Sequence, residues 1–191
     1  MATVRYIKNF IRDRNVASIT PTSRVSVEKI CRKINFDTAE VIVEYGPGGG
    51  VFTRHILQNL SPSGRLVAIE KNENFYNHLK RAIHDPRFSL VQDTAENVES
   101  VLANLGIQKV DAVISGIPFS FFEDPLRARI VNNTKAVLKP GGKFIIYQFY
   151  SPFLRKRFNL NGCLSDNLKV VRIHFEIFNL PPLRVYEAIN A

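Results

Sequence analysis

The chain has 191 residues, 45% of them hydrophobic, a length and composition typical of one soluble globular domain. Its longest uncharged runs, residues 112–122 and 144–154, are too short to span a bilayer, and no secretory signal is visible, so we expect an intracellular protein. The net charge of +9 is concentrated at the ends, since residues 1–35 carry eight Lys/Arg against two acidic residues and residues 151–191 carry six against three. Basic ends favour an anionic partner, either a nucleic acid or a membrane surface.

Two helices are predicted within residues 1–35, ahead of the main fold. The first, "TVRYIKNFIRDR", is short, basic and amphipathic; it either packs on the fold or lies on an anionic membrane. The second follows "TPTSR", with Pro21 near its start, and places Val27, Ile30, Cys31 and Ile34 on one side. We expect this second helix to pack on the sheet.

From Val41 onward, apolar β-branched runs alternate with segments of helical period, a pattern that predicts βαβ units and a mostly parallel sheet. The predicted strands lie near 41–45, 65–70, 88–92, 110–115 and 143–150, and the predicted helices near 50–60, 73–83, 96–104 and 125–138. Two final runs, 169–178 and 183–190, are separated only by "NLPP", so they are predicted to pair antiparallel as a hairpin. The prediction is one domain over 1–191, with basic helices in 1–35 and an α/β core in 36–191.

The segment "VIVEYGPGGGVF" places three alternate glycines, Gly46, Gly48 and Gly50, directly after the first strand. A dinucleotide fingerprint would need glycine where Val51 stands, and the Gly-Lys-Ser/Thr of a P-loop is absent. Glu44 precedes the glycines and would repel a diphosphate, but it would favour a ligand with cationic groups. S-adenosylmethionine (SAM) carries a sulfonium and an ammonium, and glycines without Cβ atoms let it approach the backbone.

Further polar residues follow the next three strands. Glu70 ends "RLVAIE", where a carboxylate can accept both hydroxyls of a ribose; Asp93, in "SLVQDTAENV", is a candidate acceptor for an adenine amino group. The fourth strand ends in "DAVISGIPF", which contains Ser115. Open α/β sheets bind ligands at the carboxyl ends of their strands, so these positions together predict a nucleoside site.

These residues resemble the class I SAM-dependent methyltransferases over nearly all of residues 20–190. "VEYGPGGG" is similar to motif I of that family, "VAIEKN" to its ribose-binding motif, "QDTAEN" to its adenine-binding motif and "SGIPF" to its active-site motif. The resemblance implies a Rossmann-like fold with a mostly parallel seven-stranded sheet, SAM as methyl donor, S-adenosylhomocysteine as product and no metal. The implied cofactor-binding residues are Glu44, Gly46, Pro47, Gly48, Gly50, Glu70, Lys71, Asp93, Thr94, Ala95 and Ser115.

Within that superfamily, the chain looks most like the bacterial phospholipid N-methyltransferases, relatives of the rRNA adenine dimethylases. The narrower resemblance rests on "ITPTSR", "EYGPGGGVFTRHIL", "ISGIPF" and "NLPPLRVYEAIN". In the adenine dimethylases the active-site motif begins with Asn, whereas Ser115 stands here. A hydroxyl matches a planar base amine less well, so this difference favours an aliphatic amine such as that of phosphatidylethanolamine.

Aromatic residues cluster after the fourth strand and along the fifth: Phe119, Phe121, Phe122, Tyr147, Phe149 and Tyr150. Their faces could stabilise a methylammonium charge through cation–π contacts. Ser115, Phe119 and Tyr150 are the predicted catalytic residues, with Tyr150 or a water held by Ser115 receiving the proton, and the other aromatics are assigned to packing. The loop "SPFLRKRF" is either a lipid-phosphate contact or a solvated loop.

The predicted function is a cytoplasmic SAM-dependent N-methyltransferase that acts on an amine-bearing lipid, phosphatidylethanolamine or an ornithine lipid, on the inner face of a membrane. A nucleic-acid base methyltransferase is the first alternative, and overall basicity supports it. A protein that binds SAM or a membrane without catalysis and an enzyme for a small natural-product amine also stay open.

Overall fold

The computed structural model describes residues 22–150, 160–165, 167–179 and 181–191. The predicted first helix, Pro21 and the basic loop at 151–158 lie outside the described residues.

Helices and strands alternate along the described chain. The helices are α1 (Arg24–Cys31), α2 (Val51–Asn59), α3 (Glu73–Ala82), α4 (Val98–Asn104), α5 (Asp124–Val137) and α6 (Leu160–Ser165). The strands are β1 (Val41–Tyr45), β2 (Arg65–Ile69), β3 (Phe88–Val91), β4 (Val110–Ser115), β5 (Leu138–Phe149), β6 (Lys169–Glu176) and β7 (Leu183–Ile189). Short 3₁₀ turns lie at Ala95–Asn97 and Phe119–Phe121.

The strands form one seven-stranded sheet in the order β3-β2-β1-β4-β5-β7-β6. Strands β1 to β5 pair parallel with their neighbours, and β7 pairs antiparallel with both β5 and β6. The predicted α/β fold with an antiparallel C-terminal hairpin is therefore confirmed. The largest difference in a strand boundary is at β5, which begins at Leu138 because residues 138–142 form a bulge against β4 and do not end the pairing.

The first five strands all end at one edge of the sheet, which we call the carboxyl edge. Strand β6 runs in the same direction as β5, because β7 is antiparallel to both. The turn between β6 and β7 therefore lies at the carboxyl edge, two to three strand positions from β4.

The core has two layers, one on each face of the sheet. Side chains of α4, α5 and α6 pack with Val43, Tyr45, Val113, Phe144 and Ile146 on one face. Side chains of α1 and α2 pack with alternate strand residues, such as Ile42, Ile114 and Ile145, on the other. The predicted apolar side of α1 is confirmed, since Val27, Ile30, Cys31 and Ile34 are all buried in this second layer.

Helix α1 is joined to the β6–β7 turn by a buried side chain. Asn179 accepts a hydrogen bond at its Oδ1 from the backbone N–H of Ser23, the N-cap residue of α1, over 2.8 Å. The Asn179 amide also donates to the carbonyl of Pro181 at 2.8 Å. Two segments that carried the narrower resemblance, "TPTSR" and "NLPP", are thus in direct contact.

Among the helices of the described residues, none combines the length and the apolar character required to cross a membrane.

Candidate functional site

The glycine loop after β1 uses left-handed backbone at three alternate positions. Gly46, Gly48 and Gly50 have φ of 65°, 53° and 77°, a region that side chains with a Cβ rarely adopt. A Cβ on Gly46 would stand 2.8 Å from Ile117 and one on Gly50 2.6 Å from Leu79, whereas Gly48 and Gly49 have nothing within 4 Å. Gly48 and Gly49 therefore face open space, and a ligand can approach their backbone closely.

Other contacts hold the loop in this shape. The Gly50 N–H donates to the carbonyl of Pro47 at 2.9 Å. Arg54, which the sequence patterns did not single out, donates from its guanidinium to the carbonyls of Gly49 and Gly50 at 2.7 and 3.0 Å. These contacts all come from the chain itself, so the protein's own hydrogen bonds stabilise the shape of the loop.

Glu70 connects the end of β2 to the glycine loop. Its Oε2 accepts from the Gly48 N–H at 3.0 Å, and its Oε1 accepts from the Asn72 N–H at 2.7 Å. Burial raises the pKa of Glu70, and the backbone hydrogen bonds from Asn72, Gly48 and Lys71 oppose that rise. The residue after it, Lys71, has an exposed side chain.

Glu44 is a buried carboxylate, 1% exposed, at the end of β1. Its Oε2 accepts from the Thr53 hydroxyl at 2.7 Å, but its Oε1 has no hydrogen-bond partner among the described residues. Burial raises the pKa of Glu44 to about 7; the Thr53 hydrogen bond opposes this rise, and the negative charge of Glu70 adds to it. An unpaired buried carboxylate oxygen is costly, so a cationic group would stabilise it.

Asp93 lies after β3 and organises the turn that follows. Its Oδ1 accepts from the Thr94 N–H at 2.7 Å and from the Asn97 side-chain amide at 2.8 Å. Ala95, the first residue of the 3₁₀ turn, is buried. The predicted adenine-binding residues are therefore held at the carboxyl edge, beside the strand that Glu70 follows.

Ser115 is the last residue of β4, in register with Tyr45 of β1 and Ile146 of β5. It is fully buried, and its hydroxyl has no hydrogen-bond partner among the described residues. The next residue, Gly116, donates its N–H to the carbonyl of Tyr45 at 3.0 Å. A Cβ on Gly116 would stand only 2.5 Å from the Tyr147 hydroxyl oxygen, so Tyr147 occupies the space beside the active-site motif.

Tyr147 was assigned to packing from sequence, yet it lies at this site. Its ring stacks on Phe52 with centroids 4.1 Å apart. Burial raises the pKa of Tyr147 well above its usual value, and the negative charge of Glu44 raises it further, so the phenol stays neutral. The alternation of side chains along β5 could have indicated this position from sequence. It places Tyr147 on the same face of the sheet as Glu44 and Ile145, and Tyr150 on the opposite face.

The other two predicted catalytic residues lie elsewhere in the packing. Phe119 is fully buried in the opposite core layer, with its ring near those of Phe122 and Phe144 at 5.9 and 6.3 Å. Tyr150 follows the end of β5, where its ring meets Phe175 edge-on at 4.9 Å. The structure thus brings Glu44, Glu70, the glycine loop and Gly116 together, with Phe119 on the far face of the sheet.

The chain is similar in sequence and in fold to known methyltransferases. Residues 42–142 match a family model described as a methyltransferase domain. The chain is 29% identical to the ornithine lipid N-methyltransferase of Singulisphaera acidiphila, over 94% of this chain and 91% of that protein. It is 35% identical to ribosomal RNA small subunit methyltransferase H of Burkholderia vietnamiensis, over 42% of this chain but only 26% of that protein. The solved structure of the N-methyltransferase NodS from Bradyrhizobium japonicum, in complex with S-adenosylhomocysteine, superposes with a TM-score of 0.70 at 14% identity, covering 90% of this chain and 88% of that one.

The fold and the family match together define the class of protein: a Rossmann-like, SAM-dependent methyltransferase of class I. The chain belongs to the methyltransferase domain family. The resemblance stated from its motifs is therefore confirmed at the level of fold and enzyme class.

The donor set at the carboxyl edge fits SAM. The unpaired Glu44 oxygen suits a cationic group, and the open backbone of Gly48 and Gly49 admits a ligand at close range. Glu70 and Asp93 follow the next two strands, where the ribose and the base of a nucleoside would extend. Within the described ranges, no group of three or more His, Cys, Asp or Glu side chains is placed to hold a metal ion.

Proposed function

We propose that this protein methylates the amine of a lipid headgroup, such as that of phosphatidylethanolamine or an ornithine lipid, at the cytoplasmic surface of a membrane. The observation that carries the proposal is the similarity to an ornithine lipid N-methyltransferase, which extends over nearly the whole of both chains. The identity of Ser115 supports it, because a hydroxyl suits an aliphatic amine better than the planar amine of a base.

SAM supplies an electrophilic methyl group on its sulfonium. Glu44 and the backbone of Gly48 and Gly49 would hold the charged amino acid end of the donor. Glu70 would accept hydrogen bonds from the ribose while it retains the Gly48 N–H, because each carboxylate oxygen has two lone pairs. Asp93, with Thr94 and Ala95, would border the adenine.

The amine acceptor must be neutral before it attacks, and a weakly polar pocket favours its neutral form. The stacked rings of Phe52 and Tyr147 make such a surface beside Gly116. We assign the Tyr147 oxygen the role of accepting a hydrogen bond from the amine N–H, which aims the nitrogen lone pair at the methyl group. Positioning of this kind is the main contribution that an enzyme makes to a displacement reaction.

The direct test is methyl transfer from radiolabelled SAM to vesicles that contain phosphatidylethanolamine or an ornithine lipid, with total RNA as a parallel acceptor. We expect label in mono-, di- or trimethylated lipid after the products are separated by chemical class. Label in RNA alone would overturn the lipid assignment.

Nucleic-acid methylation is the second candidate, and two observations favour it. The chain carries a net charge of +9, which suits a polyanion. Part of the chain also matches rRNA methyltransferases, although that match covers about a quarter of the Burkholderia protein. Both Ser115 and the short extent of that match place this candidate behind the lipid amine.

Replacing Tyr147 by Phe tests the amine contact. The substitution removes the hydroxyl beside Gly116 and keeps the ring on Phe52. We expect kcat for lipid methylation to fall about tenfold, because one hydrogen bond of about 1.4 kcal/mol is lost from the transition state. Calorimetry should show an affinity for SAM within about twofold of the original, since one lost neutral contact to the acceptor leaves the donor contacts intact.

Tyr150→Phe is the matched comparison, because Tyr150 is the rival predicted from sequence. It removes the same atom from a tyrosine whose ring contacts Phe175. If Tyr150→Phe slows the reaction and Tyr147→Phe does not, the amine contact belongs to Tyr150.

A further inference from the structure

We propose that the β6–β7 turn and the adjoining strand ends form a surface that docks on a lipid bilayer and holds the methyltransferase site against it. The identity of the partner as a membrane rests on the proposed lipid substrate. The surface, which we call the apolar edge, consists of Phe149, Ile173, Phe175, Ile177 and Phe178.

Exposed apolar side chains are concentrated at the apolar edge. Of seven large hydrophobic side chains that are exposed among the described residues, five belong to it. Ile177 is 71% exposed, Phe178 59% and Phe175 50%. The register places Phe149 on one face of the sheet and Ile173 and Phe175 on the other, so the group borders the sheet from both sides. Scattered apolar residues on a surface need no explanation, but several large ones gathered at one edge of a sheet mark a candidate interaction site.

The position of the apolar edge relates it to the site. Phe149, Leu183 and Glu176 lie in register across β5, β7 and β6, so the apolar edge is at the carboxyl edge of the sheet. Phe149 is two residues beyond Tyr147 on the same strand and face, a separation of about 7 Å. A flat partner that contacts the apolar edge would therefore lie beside the mouth of the site.

The turn is braced from inside the protein. The buried Asn179 binds the start of α1 through Ser23, as described above. Lys29 of α1 pairs with Glu176 at 3.6 Å, and its ammonium lies 3.8 Å from the centre of the Phe178 ring. These contacts fix the backbone of the turn while Ile177 and Phe178 remain exposed, as expected of side chains presented to a partner.

The charges around the apolar edge fit an anionic bilayer. Arg172 is exposed next to Ile173 on β6, and the guanidinium of the half-buried Arg184 lies 5.9 Å from the centre of the Phe175 ring. Lys29 is half-buried and is paired with Glu176. Residues 167–179 and 181–186 contain one acidic residue, Glu176, which is buried and paired with Lys29. Apolar side chains bordered by cations are the pattern of proteins that insert shallowly between anionic headgroups.

A second copy of the chain is the competing occupant, since β6 is an edge strand of the sheet. Two features of β6 oppose pairing with another strand. Its register shifts between Val170 and Arg172, and the side chains of Lys169 and Arg172 are exposed. Bulges and charges of this kind block edge-to-edge association, so a bilayer is the occupant that the surface favours.

The test is flotation of the full chain with vesicles of phosphatidylcholine and phosphatidylglycerol, without SAM or an amine lipid. We expect the double variant Ile177→Ser/Phe178→Ser to show at least a tenfold lower partition coefficient than the original protein. The control is Phe75→Ser, since Phe75 is exposed on α3, on the side of the sheet where β3 is the edge. It should float as the original protein does.

Several outcomes separate this proposal from the proposed function. Flotation of the double variant equal to that of the original protein would overturn docking by the apolar edge. If the original protein forms a dimer and does not float, while the double variant is monomeric, the occupant of the apolar edge is a second copy of the chain and not a bilayer. Flotation that depends on Ile177 and Phe178, without methylation of any lipid, would support docking and contradict the lipid substrate. If the original protein and the double variant both methylate dispersed short-chain lipid, but the double variant alone fails to methylate vesicles, the result would support both the docking surface and the lipid substrate.

Discussion

Replacing Glu70 by Ala is expected to weaken SAM binding about a hundredfold. The carboxylate both holds the glycine loop, through the Gly48 N–H, and faces the position assigned to the ribose. Loss of two charge-assisted hydrogen bonds of about 1.5 kcal/mol each corresponds to about a hundredfold in affinity. Isothermal titration calorimetry with SAM measures the change directly, and thermal unfolding of the same samples checks that the fold persists.

Two further variants test whether the loss of SAM affinity comes from the charge of the Glu70 carboxylate. Glu70→Gln keeps an acceptor oxygen but loses the charge, so its affinity should fall between those of the original protein and Glu70→Ala. Glu73→Ala removes an exposed carboxylate three residues later, at the start of α3, and should bind SAM normally. Equal affinity in Glu70→Ala and the original protein would contradict the ribose assignment.

Local patterns predicted most of the fold. The β-branched runs from Val41 to Ser115 match strands β1 to β4 within one residue at either end, because buried parallel strands read as continuous apolar segments. From sequence, the alternate glycines were assigned to close approach of a ligand, and the structure gives a second reason for them, because the left-handed backbone at Gly46, Gly48 and Gly50 favours glycine. Such features depend on neighbours in sequence, so the sequence displays them directly.

Contacts between distant segments were harder to predict. The bond between Asn179 and Ser23 joins residues 156 positions apart, and the motifs predicted neither that contact nor its direction. The proposed role of Tyr147 depends on which face of β5 meets Glu44, and the aromatic composition of the strand does not indicate that face. Phe119 shows the converse: it follows the active-site motif closely, yet the turn at Phe119–Phe121 directs its ring into the opposite core layer.

The affinity for SAM is expected to depend on pH through Glu44. In the free protein, burial raises the pKa of Glu44 to about 7. A cationic ligand beside the unpaired Oε1 favours the ionised form, so binding lowers the pKa and releases a proton. Affinity should therefore be full above about pH 7 and fall as the pH drops, by up to about tenfold per unit, until the pKa of the bound form is reached.

Calorimetric titrations with SAM between about pH 5 and about pH 7.5 measure this dependence. The number of protons released on binding follows from comparing the binding heats in buffers of different ionisation enthalpy. Glu44→Gln removes the titrating group, so its affinity should be lower than that of the original protein at neutral pH and nearly independent of pH. Thr53→Val removes the hydrogen bond that opposes the rise in the Glu44 pKa, so it should move the midpoint to higher pH. Burial also raises the pKa of Glu70. If the affinity for SAM still depends on pH in Glu44→Gln, the titrating group is Glu70 and not Glu44.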